Sequence, residues 1–235
     1  MALVGHHELK NLEIAMKYRV FNCATPVVLS VALMFGAAQA SAADSSAVPA
    51  PRFTPLSMET LDIHQKPLGE QIMKVSSVGL SGPYNPILRS PVMGQRMFDL
   101  LYYLRWNSSV PQRLNEFAIL IIGRQWRSQV EWLAHAPLAI KAGLSPEVVA
   151  DLKAQKRPAD MKADEAVVYD FVTELTADHR VSDATYARTK KTLSDQQIVD
   201  LTTIAGTYVT VAMLLAMAEE GVPAGRELPF KAGEP

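Results

Sequence analysis

Cysteine is almost missing from this sequence: Cys23 is the only one in 235 residues. It falls inside an apolar N-terminal run expected to be removed, so the mature chain would hold none. Disulfides, thiol redox chemistry and cysteine nucleophiles are then excluded together. A surplus of charge is missing too, with 23 basic against 24 acidic residues. No basic stripe marks a nucleic-acid surface. Aromatic residues are sparse at 7%. No segment alternates apolar and polar residues as a half-buried strand does.

Hydrophobic residues are plentiful, at 49%, and part of the excess lies at the N-terminus. Residues 20–38, VFNCATPVVLSVALMFGAA, carry no charge. Lys17 and Arg19 precede them, and AQASAAD follows. This is the layout of a secretory signal, with cleavage expected after Ala42 or Ala43 and a periplasmic or secreted product. Met16 is the natural start of such a signal, which leaves residues 1–15 as an upstream extension. A membrane anchor is the competing reading. Asn22, Thr25, Pro26 and Ser30 argue against it. Cleavage removes three basic residues (Lys10, Lys17, Arg19) and two acidic ones (Glu8, Glu13), leaving 20 and 22 and a net charge of −2.

Residues 44–57, rich in Pro, Ser and Ala, are expected to be a flexible lead-in. The rest, 58–235, is expected to be one helical domain. A first helix is predicted over 58–76, interrupted near Pro67, and a Gly/Pro loop over 78–91. Ser90-Pro91 then opens a helix with Met93, Met97, Leu100, Leu101 and Leu104 on one face. Pro111 opens another, with Leu114, Phe117, Ala118, Ile121 and Ile122 inward. The next helix holds the stretch with Ser128, Glu131 and His135 and stops at Gly143. Further helices are predicted after Ser145, over 163–178 and over 182–193. Ser194 and Gln197 form a capping box that starts the last helix. That helix, to about Glu219, is apolar nearly all round and must be covered on every side. A membrane span is the competing reading there, and Asp200 argues against it. The fold class is all-α, a compact bundle of about seven helices.

The chemistry concentrates in RQWRSQVEWLAHAPLAIKAGLS, residues 124–145. Glu131 and His135 are four apart, side by side on a helix, with Ser128 one turn earlier. Glu116, on the preceding helix, meets them if the two helices pack antiparallel. A carboxylate orients an imidazole, which can both take and give a proton near neutral pH. A plain alternative stands beside this. Ser128-x-x-Glu131 is also a capping box, Trp126 and Trp132 serve as core or interface aromatics, and His135 serves as a core histidine. No metal site is expected, because one Glu-x-x-x-His pair supplies two ligands and neither His64 nor His179 is spaced to join it. Ser128 lacks the G-x-S-x-G setting of a serine nucleophile.

Three blocks carry a family likeness: GPYNPILRSP at 82–91, the run from Leu104 to Ser145, and DLTTIAGTYVTVAMLLAMAEEGVP at 200–223. From about Gly79 to Pro223 the chain resembles the carboxymuconolactone decarboxylase-like family, which shares its fold with the AhpD-type alkylhydroperoxidases. The peroxidase pattern E-x11-C-x-x-C-x-x-x-H is kept at Glu116 and His135, but Ser128 and Glu131 replace the cysteines. The resemblance thus implies the helical fold and the Glu/His pair, without the thiols that peroxide reduction uses. It implies cofactor-free decarboxylation of a small carboxylated or lactone substrate. His135 would be the acid, with Glu131 or Glu116 orienting it. Arg124 and Arg127, with Arg113 as a further candidate, would bind carboxylate. Ser128 and Trp132 border the same face, and Tyr84 and Asn85 would close over the pocket. The resemblance also implies a homo-oligomer, a trimer or hexamer. A non-catalytic binding protein that keeps the fold is the rival expectation.

Overall fold

The computed structural model describes residues 50–223 and 225–231; the expected signal segment, with Cys23, lies outside them. Among the described residues there are nine α-helices and no strands. They are α1 (Lys66–Val75), α2 (Tyr84–Leu88), α3 (Pro91–Trp106), α4 (Gln112–Gln125) and α5 (Gln129–Lys141). Then follow α6 (Pro146–Lys153), α7 (Ala163–Thr173), α8 (Asp183–Thr192) and α9 (Asp195–Ala218). A π-helical turn, Glu174–Asp178, extends α7.

The count exceeds the expected seven partly because the Gly/Pro loop contains α2. The first helix also starts later than expected: Pro67 lies at its first turn, where a missing N–H costs nothing, so the proline begins α1 instead of interrupting it.

Helix α4 is the centre. Residues 114–124 are all buried, not only the expected stripe, because α5, α7 and α9 pack around it. Helix α9 buries Leu201, Ile204, Ala205, Tyr208, Val211 and Leu215 against α4 and its neighbours. By length and hydropathy α9 could cross a membrane. Its Asp200 is instead buried and accepts from Ser109 N at 2.8 Å and Ser109 Oγ at 2.7 Å. Those bonds anchor the turn that follows α3. The capping box of α9 forms, with Gln197 N donating to Ser194 Oγ and Ser194 N to Gln197 Oε1.

Helix α3 is rotated from its expected face. Met97, Leu101 and Leu104 are buried, but Met93 and Leu100 are exposed, and Gly94 and Phe98 turn inward in their place. Packing at Gly94 causes this. A Cβ there would lie 2.6 Å from the Ile87 carbonyl oxygen and 3.0 Å from Leu68 Cδ2. Only glycine lets α3 seat against α1 and α2 so closely. The lead-in is held from Arg52, whose backbone N–H donates to the Ala218 carbonyl and whose guanidinium pairs with Glu219.

Candidate active site

A tight reversal between α4 and α5 builds the site. Ser128 N donates to the Gly123 carbonyl at 2.8 Å and Arg127 N to the Arg124 carbonyl at 3.1 Å. This is the paired bonding of a Schellman ending, and Arg127 takes its left-handed position at φ 50°. Helix α5 therefore runs back along α4. Glu116 lies two turns before Gly123, and His135 two turns after Ser128. At equal rise per residue the reversal brings them level.

They meet at 2.7 Å, His135 Nδ1 to Glu116 Oε2, with the residues 7% and 1% exposed. Gln112 Nε2 donates to the other Glu116 oxygen, also at 2.7 Å. Both oxygens accept, the pattern of an ionised carboxylate. An acceptor on Nδ1 places the imidazole proton there and leaves Nε2 for the cavity. Tyr208 of α9 packs edge-on against the ring, at 5.2 Å and 89°, and fixes its plane.

Glu131 is the opposite case. It is 3% exposed, and neither carboxylate oxygen has a hydrogen-bond partner; the same is true of Ser128 Oγ. The capping box read at these two positions therefore does not form, although Ser128 does stand at the N-cap of α5. Among the described residues no cation lies within ion-pair distance of Glu131. Burial pushes its carboxyl up to about 8, with only the neighbouring Ser128 hydroxyl opposing. Burial thus favours its protonated form near neutral pH.

Glu131 and His135 both line a cavity of about 70 Å³ between α3, α5 and α9. That volume holds about two water molecules at liquid density, and the cavity opens toward solvent. Its walls are mostly apolar: Phe98, Leu101, Val130, Ala134, Val211 and Leu215. Tyr84 reaches it from α2, and burial raises that phenol, partly offset by the Arg105 guanidinium facing it. Burial also raises the Tyr208 phenol, and Arg105, Glu116 and Glu131 all act on it.

Arg105 was not among the sequence candidates. A signal existed, since Phe98, Leu101, Tyr102 and Arg105 share one face of a helix at i, i+3, i+4 and i+7. The arginine was unremarkable until that face proved to border the His135 cavity.

The other candidates lie elsewhere. Arg124 and Arg127 border a separate hollow near Leu152 and Tyr169. Arg124 donates from Nε to the Lys153 carbonyl at 2.9 Å and stacks on Phe230 at 4.6 Å. Arg124 follows Glu116 by more than two turns of α4. Arg113 pairs with Asp164 and Glu165 of α7. Trp132 is buried edge-on against Phe230, outside the cavity lining. Asn85 faces away from Tyr84 and donates to Glu220 Oε1 at 2.7 Å and the Phe53 carbonyl at 3.3 Å. Of the sequence candidates, the structure brings Glu116, Glu131, His135 and Tyr84 together. Among the described residues no group of three His, Cys, Asp or Glu side chains is placed to hold a metal ion.

No family model matches the sequence, and no curated protein does. Solved structures do match. One is an alkylhydroperoxidase AhpD core, an uncharacterized peroxidase-related protein from Ralstonia eutropha JMP134. It superposes with a TM-score of 0.64 at 13% identity, over 76% of this chain and 95% of that one. Another is an uncharacterized peroxidase-related protein from Silicibacter sp. TM1040, with a TM-score of 0.60 at 15% identity, over 74% and 93%. At these identities the likeness is one of architecture, and this all-helical chain has the AhpD-like fold.

Proposed function

We propose that the protein is an acid–base enzyme that acts on a small carboxylated or lactone substrate in the α3/α5/α9 cavity without a cofactor. The observation that carries this reading is the buried 2.7 Å bond from Glu116 to His135, which leaves Nε2 facing an apolar cavity. Glu116 lies against Nδ1, where a carboxylate compensates the imidazolium that forms when Nε2 takes a proton. Glu131, neutral at pH 7, is a second proton donor on the same wall. Our preferred reaction is decarboxylation of the kind the sequence resemblance implies. The bond from substrate carbon to carboxylate breaks, CO2 leaves, and the electron pair stays on carbon, delocalised into the adjoining carbonyl. The His135 imidazolium then delivers the proton to that carbon. The apolar walls favour a step that disperses charge.

Incubation with 4-carboxymuconolactone, following lactone loss and CO2 release beside the His135→Ala variant, tests this. Turnover that disappears in the variant supports the reading. Turnover that survives in it sinks the proposed site. A rival is a binding protein without turnover, for which the substitution alters stability alone. The AhpD-like neighbours favour a second activity, peroxide reduction, and organic hydroperoxide supplied with a thiol reductant tests that. Residues 50–231 contain no cysteine to attack the peroxide.

We read the protein as a homo-oligomer of trimer type and as an exported one. Val199, Met213 and Met217 stand exposed on α9 and would be covered by a second copy. Light scattering of the purified protein checks the first reading, and N-terminal sequencing of the exported product the second.

A further inference from the structure

We propose that Arg105 is the group that recognises the substrate's anion, and that the cavity takes a small organic carboxylate with an apolar body. This rests on the acid–base reading for the chemistry that follows binding, but not for binding itself. The sequence expectation assigned carboxylate recognition to Arg124 and Arg127, and the structure places both outside the cavity. A different cation borders it. Arg105 occupies the last turn of α3, half-buried, its guanidinium stacked 4.6 Å from the Trp106 ring centroid. Among the described residues it forms no ion pair. The guanidinium is held by an aromatic face and by nearby Tyr84, neither of which cancels its charge.

The remaining lining has no anion to offer in its place. Glu131 is the other ionisable acid on the wall, and at neutral pH it carries a proton. Glu116 does not line the cavity, and its charge is committed to His135. The cavity therefore presents one net positive group, set at a mouth formed with the exposed Tyr102 and Trp106. Deeper in, Phe98, Leu101, Val211 and Leu215 offer only hydrocarbon. A ligand that matches both has a carboxylate and an apolar remainder. The planar guanidinium suits a carboxylate's two oxygens, and the Tyr84 hydroxyl supplies a further donor.

The arrangement also gives a readout. Trp106 lines the cavity and touches Arg105, so a ligand seated there changes its fluorescence. The full-length protein should be titrated near neutral pH with benzoate and, separately, with neutral benzamide of the same shape, by fluorescence and by calorimetry. Benzoate should bind at least about 10-fold tighter than benzamide. Arg105→Gln should weaken benzoate about 10-fold or more and remove the preference, and Arg105→Lys should restore part of it. Arg124→Gln should leave both affinities unchanged.

Equal binding of the two probes, no binding of benzoate, or an Arg105→Gln variant that retains the preference would each overturn the proposal. Far-ultraviolet dichroism of each variant confirms folding, and the lysine variant preserves the test if the glutamine one does not fold. His135→Ala distinguishes this proposal from the catalytic one: it should still bind benzoate. Retained binding with retained lactone turnover removes the acid–base reading and leaves the anion site standing.

Discussion

Glu116 and Glu131 are two buried carboxyl groups beside one imidazole, and they have opposite surroundings. Glu116 has a donor on each oxygen, from Gln112 and from His135. Glu131 has none. Burial is common to both, so depth alone does not set what a carboxyl does. The donors decide: they stabilise the anion in one case, and their absence favours the acid in the other. One side chain can therefore orient and neutralise a charged histidine while its neighbour holds a proton at pH 7. The difference lies in the helix that carries each. Glu116 is in the second turn of α4 with Gln112 one turn before it, whereas Glu131 is in the first turn of α5, where the Ser128 hydroxyl lies near it without forming a full hydrogen bond.

The largest effect should come from breaking the Glu116 side of this pair. His135→Ala should lower kcat/KM by about 10³-fold or more. Glu116→Gln should cost about 10²-fold or more, because an amide N–H facing Nδ1 favours the wrong tautomer. Steady-state kinetics on whichever lactone is turned over measures both. Full activity in Glu116→Gln would falsify the role of that carboxylate as an orienting anion.

The Glu131 side is sharpened by pH. In the folded chain this carboxyl stays protonated up to about 8, against 4.5 in the unfolded chain. Folding thus retains a proton between those values that the unfolded chain has lost. Stability falls as pH rises through that window and levels off above it. Glu131→Gln removes the penalty and should stabilise the protein by roughly 3–5 kcal/mol above about pH 8. Thermal melts at several pH values should show the wild-type decline flatten in the variant. Parallel curves for the two proteins would mean that Glu131 has a partner.

Smaller effects should come from the scaffold. Gly94→Ala forces a methyl against the Ile87 carbonyl and should destabilise by about 1–3 kcal/mol. It should also displace α2 and with it Tyr84, so KM should rise in the same variant. Smallest of all, Arg124→Gln should leave kcat/KM within about twofold of wild type. A large loss there would return the carboxylate-binding role to the Arg124 side of the molecule.

Local patterns fared well where the information was local. Helix starts at Pro91, Ser145, Ser182 and Ser194 follow from capping and proline chemistry between residues a few positions apart. The Glu116 to His135 pairing was legible because a short turn between two helices leaves one simple geometry, the antiparallel return. The capping box at Ser128 was a false lead of the same kind. Its residues fit the local motif, but no side chain caps the start of α5 and both Glu131 oxygens are left without a partner.

Composition and spacing by themselves determined that this chain folds as helices, where most of them start, and which Glu and His fall level across a turn. These depend on backbone hydrogen bonding and on a fixed rise per residue, and both act within a few turns. The tertiary structure alone decided that Arg105 and Tyr84 share a cavity with His135 while Arg124 does not. It also decided that one of two adjacent carboxyls is satisfied and the other is not. Those outcomes depend on how α2, α3 and α9 seat against α4 and α5. That seating is set by close packing between residues far apart in the chain, such as Gly94 against Ile87 and Leu68, or Tyr208 against His135.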